Sequence, residues 1–427
     1  MNTAINHDHI GIEGFKKQAD GSFFARIKLP AGVVSSQQAA KVADVAEKFG
    51  TGSIHLTIRG NMEIHRLQES SIGQVYRELK SVGLELRGAT GPAVRSVSCT
   101  SVLADGFLQG QILARKIQHY FTSNPHFEGI PKKFKIGVEG CYQDACHLIQ
   151  DICLIYSGET DGEKTYDVWM GGGLGRHPME AFLYSKHLPE KRILPLIEAV
   201  LEIYMAEAGP GVRLKSLIKD KGRETFIREL DLKLKDRKDL LLRAGFDQHM
   251  TVPAAEPGRG KLVVPVRFGQ LTSASLRILA EIARQFSGGY LTLTSSQNLV
   301  LFVAGLAGEM EAMKHLQDQG FLTDDMIVGI NFRTCPGNHE CQRGIVATRD
   351  VGSEILACLG ENGRGLKIAL SACPNSCVRP QTADWGIIAK GKEPSFDVYH
   401  RQGENLGKPV HKNLSLDELL NLIRDID

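Results

Sequence analysis

Residues 32–62 read GVVSSQQAAKVADVAEKFGTGSIHLTIRGNM, and residues 269–299 read GQLTSASLRILAEIARQFSGGYLTLTSSQNL. The second stretch is the first displaced by 237 residues without a gap, and nine of the 31 positions are identical. Each copy carries the same local signals. An apolar strand comes first (Phe23–Leu29; Leu262–Phe268). A Ser/Thr-rich turn then offers an N-cap, and a helix follows with Ala39, Val42, Ala43 and Ala46 on one face. Glycine ends the helix, and a second strand begins at Ser53–Thr57. The unit is β-α-β, and two copies are expected to pair into one pseudo-symmetric layer.

A weaker repeat follows each copy. KFKIGVEGCYQDACHLIQDICLI (133–155) is similar to GLKIALSACPNSCVRPQTADWGII (365–388), with Lys135 over Lys367, Cys141 over Cys373 and Asp151 over Asp384. The chain therefore has the form A–B–A′–B′, which predicts an internally duplicated α+β protein with domains at 1–80, 81–246, 247–325 and 326–427. Asp247–Gly260 is rich in Pro, Gly and Ala and reads as the linker. A long charged helical stretch from about Leu188 to Arg243, broken at Gly209-Pro210-Gly211, is expected to pack between the halves. A short terminal helix is expected after Ser415 as N-cap.

Composition bounds the function. The chain has 427 residues and a net charge of +2, so no strong global field favours nucleic acid or a membrane surface. Nine cysteines are too few for a secreted disulfide scaffold. The start, MNTAINHDHIGIEGFKK, has no signal-peptide pattern, and no apolar run is long enough to span a bilayer. The expected compartment is the reducing cytoplasm.

Four cysteines stand out near the C-terminus. Cys335 and Cys341 form C-x5-C, and Cys373 and Cys377 form C-x3-C. Four convergent thiolates suit an iron–sulfur cubane or a structural zinc, and unligated thiols remain an alternative. The first half has only Cys141 and Cys146 at the related place, whereas Cys153 and Cys358 lie in apolar runs as expected core residues.

Charge separates the two copies. The second strand ends in LTIRGN with Arg59 where the second copy has Ser296 in LTSSQN, and Arg26 stands where the second copy has Val263. Arg95 lies in AVRSVS, and Lys132, Lys133 and Lys135 in IPKKFKI. Cations in and beside apolar strands of one half point to an anionic ligand. The Gly-rich MGGGLGR (170–176) fits no nucleotide-binding pattern, and its three glycines are expected to let backbone approach a flat cofactor.

Together these residues resemble the siroheme- and 4Fe-4S-containing sulfite and nitrite reductases, over about Phe15 to Ile388. The resemblance implies two ferredoxin-like half-domains forming one layer and two α+β domains flanking the cofactors. It implies Cys335, Cys341, Cys373 and Cys377 as cluster ligands, with Cys377 bridging to siroheme iron. It implies Thr57, Arg59, Asn61, Lys132, Gly172, Gln297 and Asn298 around the macrocycle, and Arg26, Arg95, Lys133 and Lys135 around substrate. Gly60 departs from the Gln common in the family after the siroheme arginine. Lys133-Phe134-Lys135 and GGGLG resemble the sulfite branch, so the activity implied is six-electron reduction of sulfite to sulfide. Nitrite reduction to ammonia is the alternative, and a siroheme-free iron–sulfur protein of corrinoid synthesis a further one. With no flavin or nicotinamide domain in the chain, electrons are expected from a separate donor such as ferredoxin or a flavoprotein.

Overall fold

The computed structural model describes residues 14–18, 20–122, 124–235, 237 and 259–426. Most of the expected linker lies outside these residues, and its last two positions already belong to a strand.

The first half-domain contains β1 (Phe15–Lys17), β2 (Phe23–Ile27), β3 (Val33–Ser35), α1 (Ser36–Phe49), β4 (Ser53–Leu56), β5 (Met62–Leu67) and α2 (Ile72–Lys80). The first α+β domain has α3 (Phe107–Phe121), β6 (Ile136–Glu139), β7 (Ile152–Thr160), β8 (Glu163–Met170), β9 (Phe182–Pro189), α4 (Glu190–Glu207), α5 (Leu214–Lys221) and α6 (Arg223–Lys235). The second half-domain repeats the first with β10 (Arg259–Val264), β11 (Gln270–Thr272), α7 (Ser273–Phe286), β12 (Tyr290–Leu293), β13 (Leu299–Ala304) and α8 (Gly305–Asp318). The last domain has α9 (Asp324–Val328), β14 (Phe332–Thr334), α10 (Thr348–Leu359), β15 (Ile368–Ser371), β16 (Trp385–Lys390), β17 (Ser395–His400), β18 (Lys408–Leu414) and α11 (Leu416–Arg424).

The repeated helices start as the sequence predicts. Ser35 caps α1 by accepting from the Gln38 amide, with the Gln38 side chain reaching back, and Thr272 caps α7 by accepting from Ser275. Ala39, Val42, Ala43 and Ala46 are all buried, and α1 packs against α7. The half-domains interlock more closely than two adjacent units. Their sheets run β1-β2-β5-β4-β11 and β10-β13-β12-β3, so each copy lends its short strand to the other's sheet. Strand exchange removes one open edge from each sheet. The terminal helix forms with Ser415 and Glu418 in a reciprocal capping box.

The helical stretch differs from expectation. Residues 188–189 end β9, and α4, α5 and α6 follow. Their apolar faces (Ile197, Val200, Leu201, Leu214, Ile218, Phe226, Leu230) join the core of the first α+β domain rather than packing between halves. A wide apolar stripe demands a matching sheet face, and β7 and β8 supply it through Leu154 and Val168.

The two α+β domains repeat each other in detail. β6 runs parallel to β7, and β15 parallel to β16. At the mouth of each pair a carboxylate accepts from a strand-leading lysine amide, Lys135 N to Asp151 Oδ2 at 2.9 Å and Lys367 N to Asp384 Oδ2 at 3.1 Å.

Candidate active site

Parallel bridges Val94–Phe134 and Ser98–Gly137 lay the segment after residue 90 beside β6. The Arg95 amide donates to Phe134 O at 2.8 Å, which sets Arg95 alongside Lys133 and Lys135. Arg26 reaches the same place from β2, and Arg59 from the turn after β4. A sixth cation, Arg213, enters from the N-cap of α5. These six charges act on one another. Burial first, then Arg213, Arg95 and Arg26, lower the Lys133 ammonium to about 8, although the Cys377 thiol works the other way. Burial and then Lys133, Arg59 and Arg213 push Lys135 well below the usual lysine range. Burial, followed by Arg26, Arg59 and Arg213, lowers Arg95 to about 9. Such crowding is costly without anions, and it makes this cluster the candidate anion-binding chamber.

Two carboxylates temper the field. Asp151 is fully buried and pairs with Arg213 Nη2 at 2.8 Å. Glu63 pairs with Arg26 at 2.6 Å. Sequence reading found neither Arg213 nor Glu63 as a site residue. Asp151 carried a faint signal, its match to Asp384, but Arg213 lies far along the chain in an ordinary helix-start context.

The four cysteines of the second α+β domain come together where β14 and β15 end. Cys335 Sγ accepts from the Ala372 amide at 3.2 Å. Burial, and then Cys377 among its neighbours, raise the Cys335 thiol to about 12. Cys377 is raised by burial, Cys373 and Cys341, whereas Lys133 and Lys135 oppose the rise. Cys373 likewise feels Cys341. Yet among the described residues no three His, Cys, Asp or Glu side chains could hold a metal ion as a group. Four thiols that act on one another without forming a single-ion site suit a cubane, whose irons are spread apart, better than zinc. Ser376 and Arg379, both buried and both at positive φ (53° and 57°), turn the backbone sharply around Cys377. Cys377 has an accessible surface although protein surrounds its thiol closely enough to raise it. Lys133 and Lys135 lie close enough to act on that thiol. Cations for a polycarboxylate macrocycle and a cluster thiol on one wall fit siroheme.

Several other candidate residues are engaged by the protein itself. Arg59 donates to Gln150 Oε1 and Ser96 O, both at 2.7 Å, and to Ile136 O at 3.2 Å. Thr57 Oγ1 accepts from the Asn61 amide at 3.0 Å, and Asn61 Oδ1 accepts from Leu29 N at 3.2 Å. Asn298 repeats this tie to Val266 N at 3.0 Å and adds a bond to Ile330 O at 2.6 Å. Gln297, fully buried, donates to Leu56 O and Thr334 O and accepts from Thr334 N, at 2.7, 3.0 and 2.9 Å. The backbone neighbour of Gly172 is Leu148 O, which a Cβ would meet at 2.3 Å, so the close approach there is protein on protein. Lys215 donates to the carbonyls of Gly173, Leu174 and His177 and pins the same loop. Lys132 is exposed. Of the first-half thiols, Cys146 is buried, accepts from Arg379 Nη1 at 2.8 Å, and is raised to about 11 by burial; Cys141 is half-buried. Cys153 is buried as expected, and Cys358 is half-buried against the core.

Comparison with known proteins gives this geometry its family. The nitrite/sulfite reductase ferredoxin-like half domain matches residues 16–82 and 258–317, and the nitrite and sulphite reductase 4Fe-4S domain matches residues 90–238. The chain belongs to the nitrite and sulfite reductase family, whose cofactors are siroheme and a 4Fe-4S cluster. A ferredoxin–nitrite reductase of Leptolyngbya laminosa is 26% identical, covering 96% of this chain and 87% of that one. A sulfite reductase [ferredoxin] 2 of Mycolicibacterium paratuberculosis is 24% identical over 88% of this chain and 71% of its own length. The NirA protein of Mycobacterium tuberculosis shares the fold, with a TM-score of 0.82 and 20% identity over 98% of this chain and 87% of that one. Among the described residues no helix is long and apolar enough to cross a membrane.

Proposed function

We propose that this chain reduces sulfite to sulfide, taking six electrons from a separate protein donor. Cys335, Cys341, Cys373 and Cys377 would hold the cluster, and siroheme would lie against Cys377 and the cation wall. When bound, the siroheme and the cluster would supply the electron relay and the metal at which the oxyanion is reduced. The chain's own residues do the rest. Arg26, Arg95, Lys133 and Lys135 would neutralise the desolvated anion, and the two lysines, already depressed towards neutrality, would hand on protons as oxygen leaves as water. The observation that carries this reading is that Lys133 and Lys135 both lie close enough to lower the Cys377 thiol against its burial.

Sulfite is favoured because both lysines of Lys-x-Lys act on Cys377, and a doubly charged anion gains most beside two cations. Nitrite is the second reading, supported by the names of relatives such as the Leptolyngbya enzyme and by the Glu63 carboxylate, which lowers the local positive charge. The donor would meet the cluster from the side of Cys373. Arg176 and Arg343 are exposed there and close enough to act on that thiol, a pairing that suits an acidic electron carrier such as ferredoxin. Anaerobic turnover of the cofactor-loaded protein with reduced viologen tests the reading, with sulfite and nitrite in parallel and sulfide and ammonium quantified. A higher kcat/KM for sulfite with stoichiometric sulfide is expected; preference for nitrite would transfer the assignment.

A further inference from the structure

Arg26 and Glu63 are direct cross-strand partners on β2 and β5. Glu63 Oε1 accepts from Nε and Nη2 of Arg26, each at 2.6 Å. Arg26 Nη1 donates to Ala89 O at 3.1 Å, and the guanidinium lies 5.4 Å from the centre of the Phe24 ring. Glu63 Oε2 lies 3.1 Å from His65 Nε2, and the His65 ring in turn lies 5.4 Å from Phe24. Arg26 is thus clamped on three sides. Burial acts to raise the Glu63 carboxyl, but Arg26 and His65 outweigh it and hold it well below the usual carboxylate range. Glu63 is therefore a buried anion at neutral pH.

The duplicated copy is an internal control. Displaced by 237 residues, the same two strand positions are Val263 and Val300, again direct cross-strand partners. A sheet that accepts Val–Val at this register does not need an ion pair to fold, and buried ion pairs are poor evidence of stability in any case. The pair is better explained by the chamber. Among the described residues, Arg26 and Arg213 are the two of its six cations with a side-chain carboxylate pair.

We propose that Glu63 is a positioning residue that fixes Arg26 at the chamber wall and lowers the chamber's net charge by one. It thereby sets the preference between a singly charged oxyanion such as nitrite and doubly charged sulfite. This rests on the oxyanion-reductase reading above and specifies its selectivity. One charge more or less acts twice as strongly on a dianion as on a monoanion.

The test is anion binding without turnover, followed by siroheme absorption in the oxidised holoenzyme at mildly alkaline pH, where sulfite is the dianion. Glu63→Gln is expected to raise the ratio of nitrite to sulfite dissociation constants by about tenfold, the scale of one unit charge in a partly screened site. Glu63→Asp, which keeps the charge, is expected to return the ratio towards wild type. An unchanged ratio in Glu63→Gln, or an equal shift in both variants, overturns the proposal. The double variant Arg26→Val/Glu63→Val copies the second half-domain and is expected to keep the wild-type Tm; a large fall would make the pair structural and also overturn it. A wild-type protein that binds these anions but reduces neither would refute the activity and leave this binding test standing.

Discussion

The two halves of this chain share a backbone and differ in what they do with it. At one pair of positions the first half-domain sets Arg26 against Glu63, and the second sets Val263 against Val300. At the following turn the first has Arg59 and Gly60, and the second Ser296 and Gln297. Gly60 has φ 67°, and a Cβ there would meet the Gly32 Cα at 2.9 Å. The second copy instead fills its turn with a glutamine that ties Leu56 to Thr334. Lys135 sits among cations, whereas Lys367 donates to Asp144 at 2.6 Å. Duplication supplied two equivalent frames, and at these matched positions the first half carries cations where the second carries neutral or carboxylate-paired side chains. The exception is the cysteines, four of which gather in the half without the cation wall.

The asymmetry can be broken by substitution. The largest effect is expected at Cys377. Cys377→Ser should remove cluster iron and abolish turnover, while Cys146→Ser should keep the full iron content; elemental analysis and the iron–sulfur absorption band report both. Next comes the lysine pair. Lys135→Met should lower kcat/KM by about a hundredfold, the scale of a lost proton donor. Its counterpart Lys367→Met should leave turnover near wild type and cost about 1 kcal/mol in denaturant unfolding, because it strips one partner from buried Asp144.

A stability effect of intermediate size is expected at the second-half turn. Gln297→Ala leaves Thr334 N, Thr334 O and Leu56 O without their partner and should cost about 2 kcal/mol, seen as a lower midpoint in urea. The smallest is a pH effect. Lys133, lowered to about 8, is charged below that pH and neutral above it. Attraction for anions is therefore present below and lost as pH rises through it. Nitrite keeps its single charge over this range, so its KM should rise severalfold between about pH 7 and about pH 9. A flat profile would mean that Lys133 does not bear on the anion.

Much of the candidate site was legible because its chemistry sits in short contiguous patterns. The cysteine pairs, Lys-x-Lys and the 237-residue repeat survive in one dimension, since local spacing and cap residues act within a few bonds. Glu63 was hidden for the opposite reason: it is an ordinary alternating residue in a strand, and only register with β2 gives it a partner. Asn61, Gln297 and Asn298 show the reverse. Amide side chains serve a macrocycle and a buried backbone N–H or carbonyl equally well, and which one they meet depends on strands far along the chain.

By itself the sequence determined the duplication, the half-domain helices with their Ser35, Thr272 and Ser415 caps, and the grouping of four thiols and several cations. These follow from propensity, periodicity and charge. Tertiary structure alone decided that β3 and β11 change places between sheets, that α4 to α6 close the first α+β core, and that Asp151 pairs with Arg213 and Glu63 with Arg26. Such contacts join segments tens to hundreds of residues apart, and the burial and Coulomb terms that fix them exist only once the chain has packed.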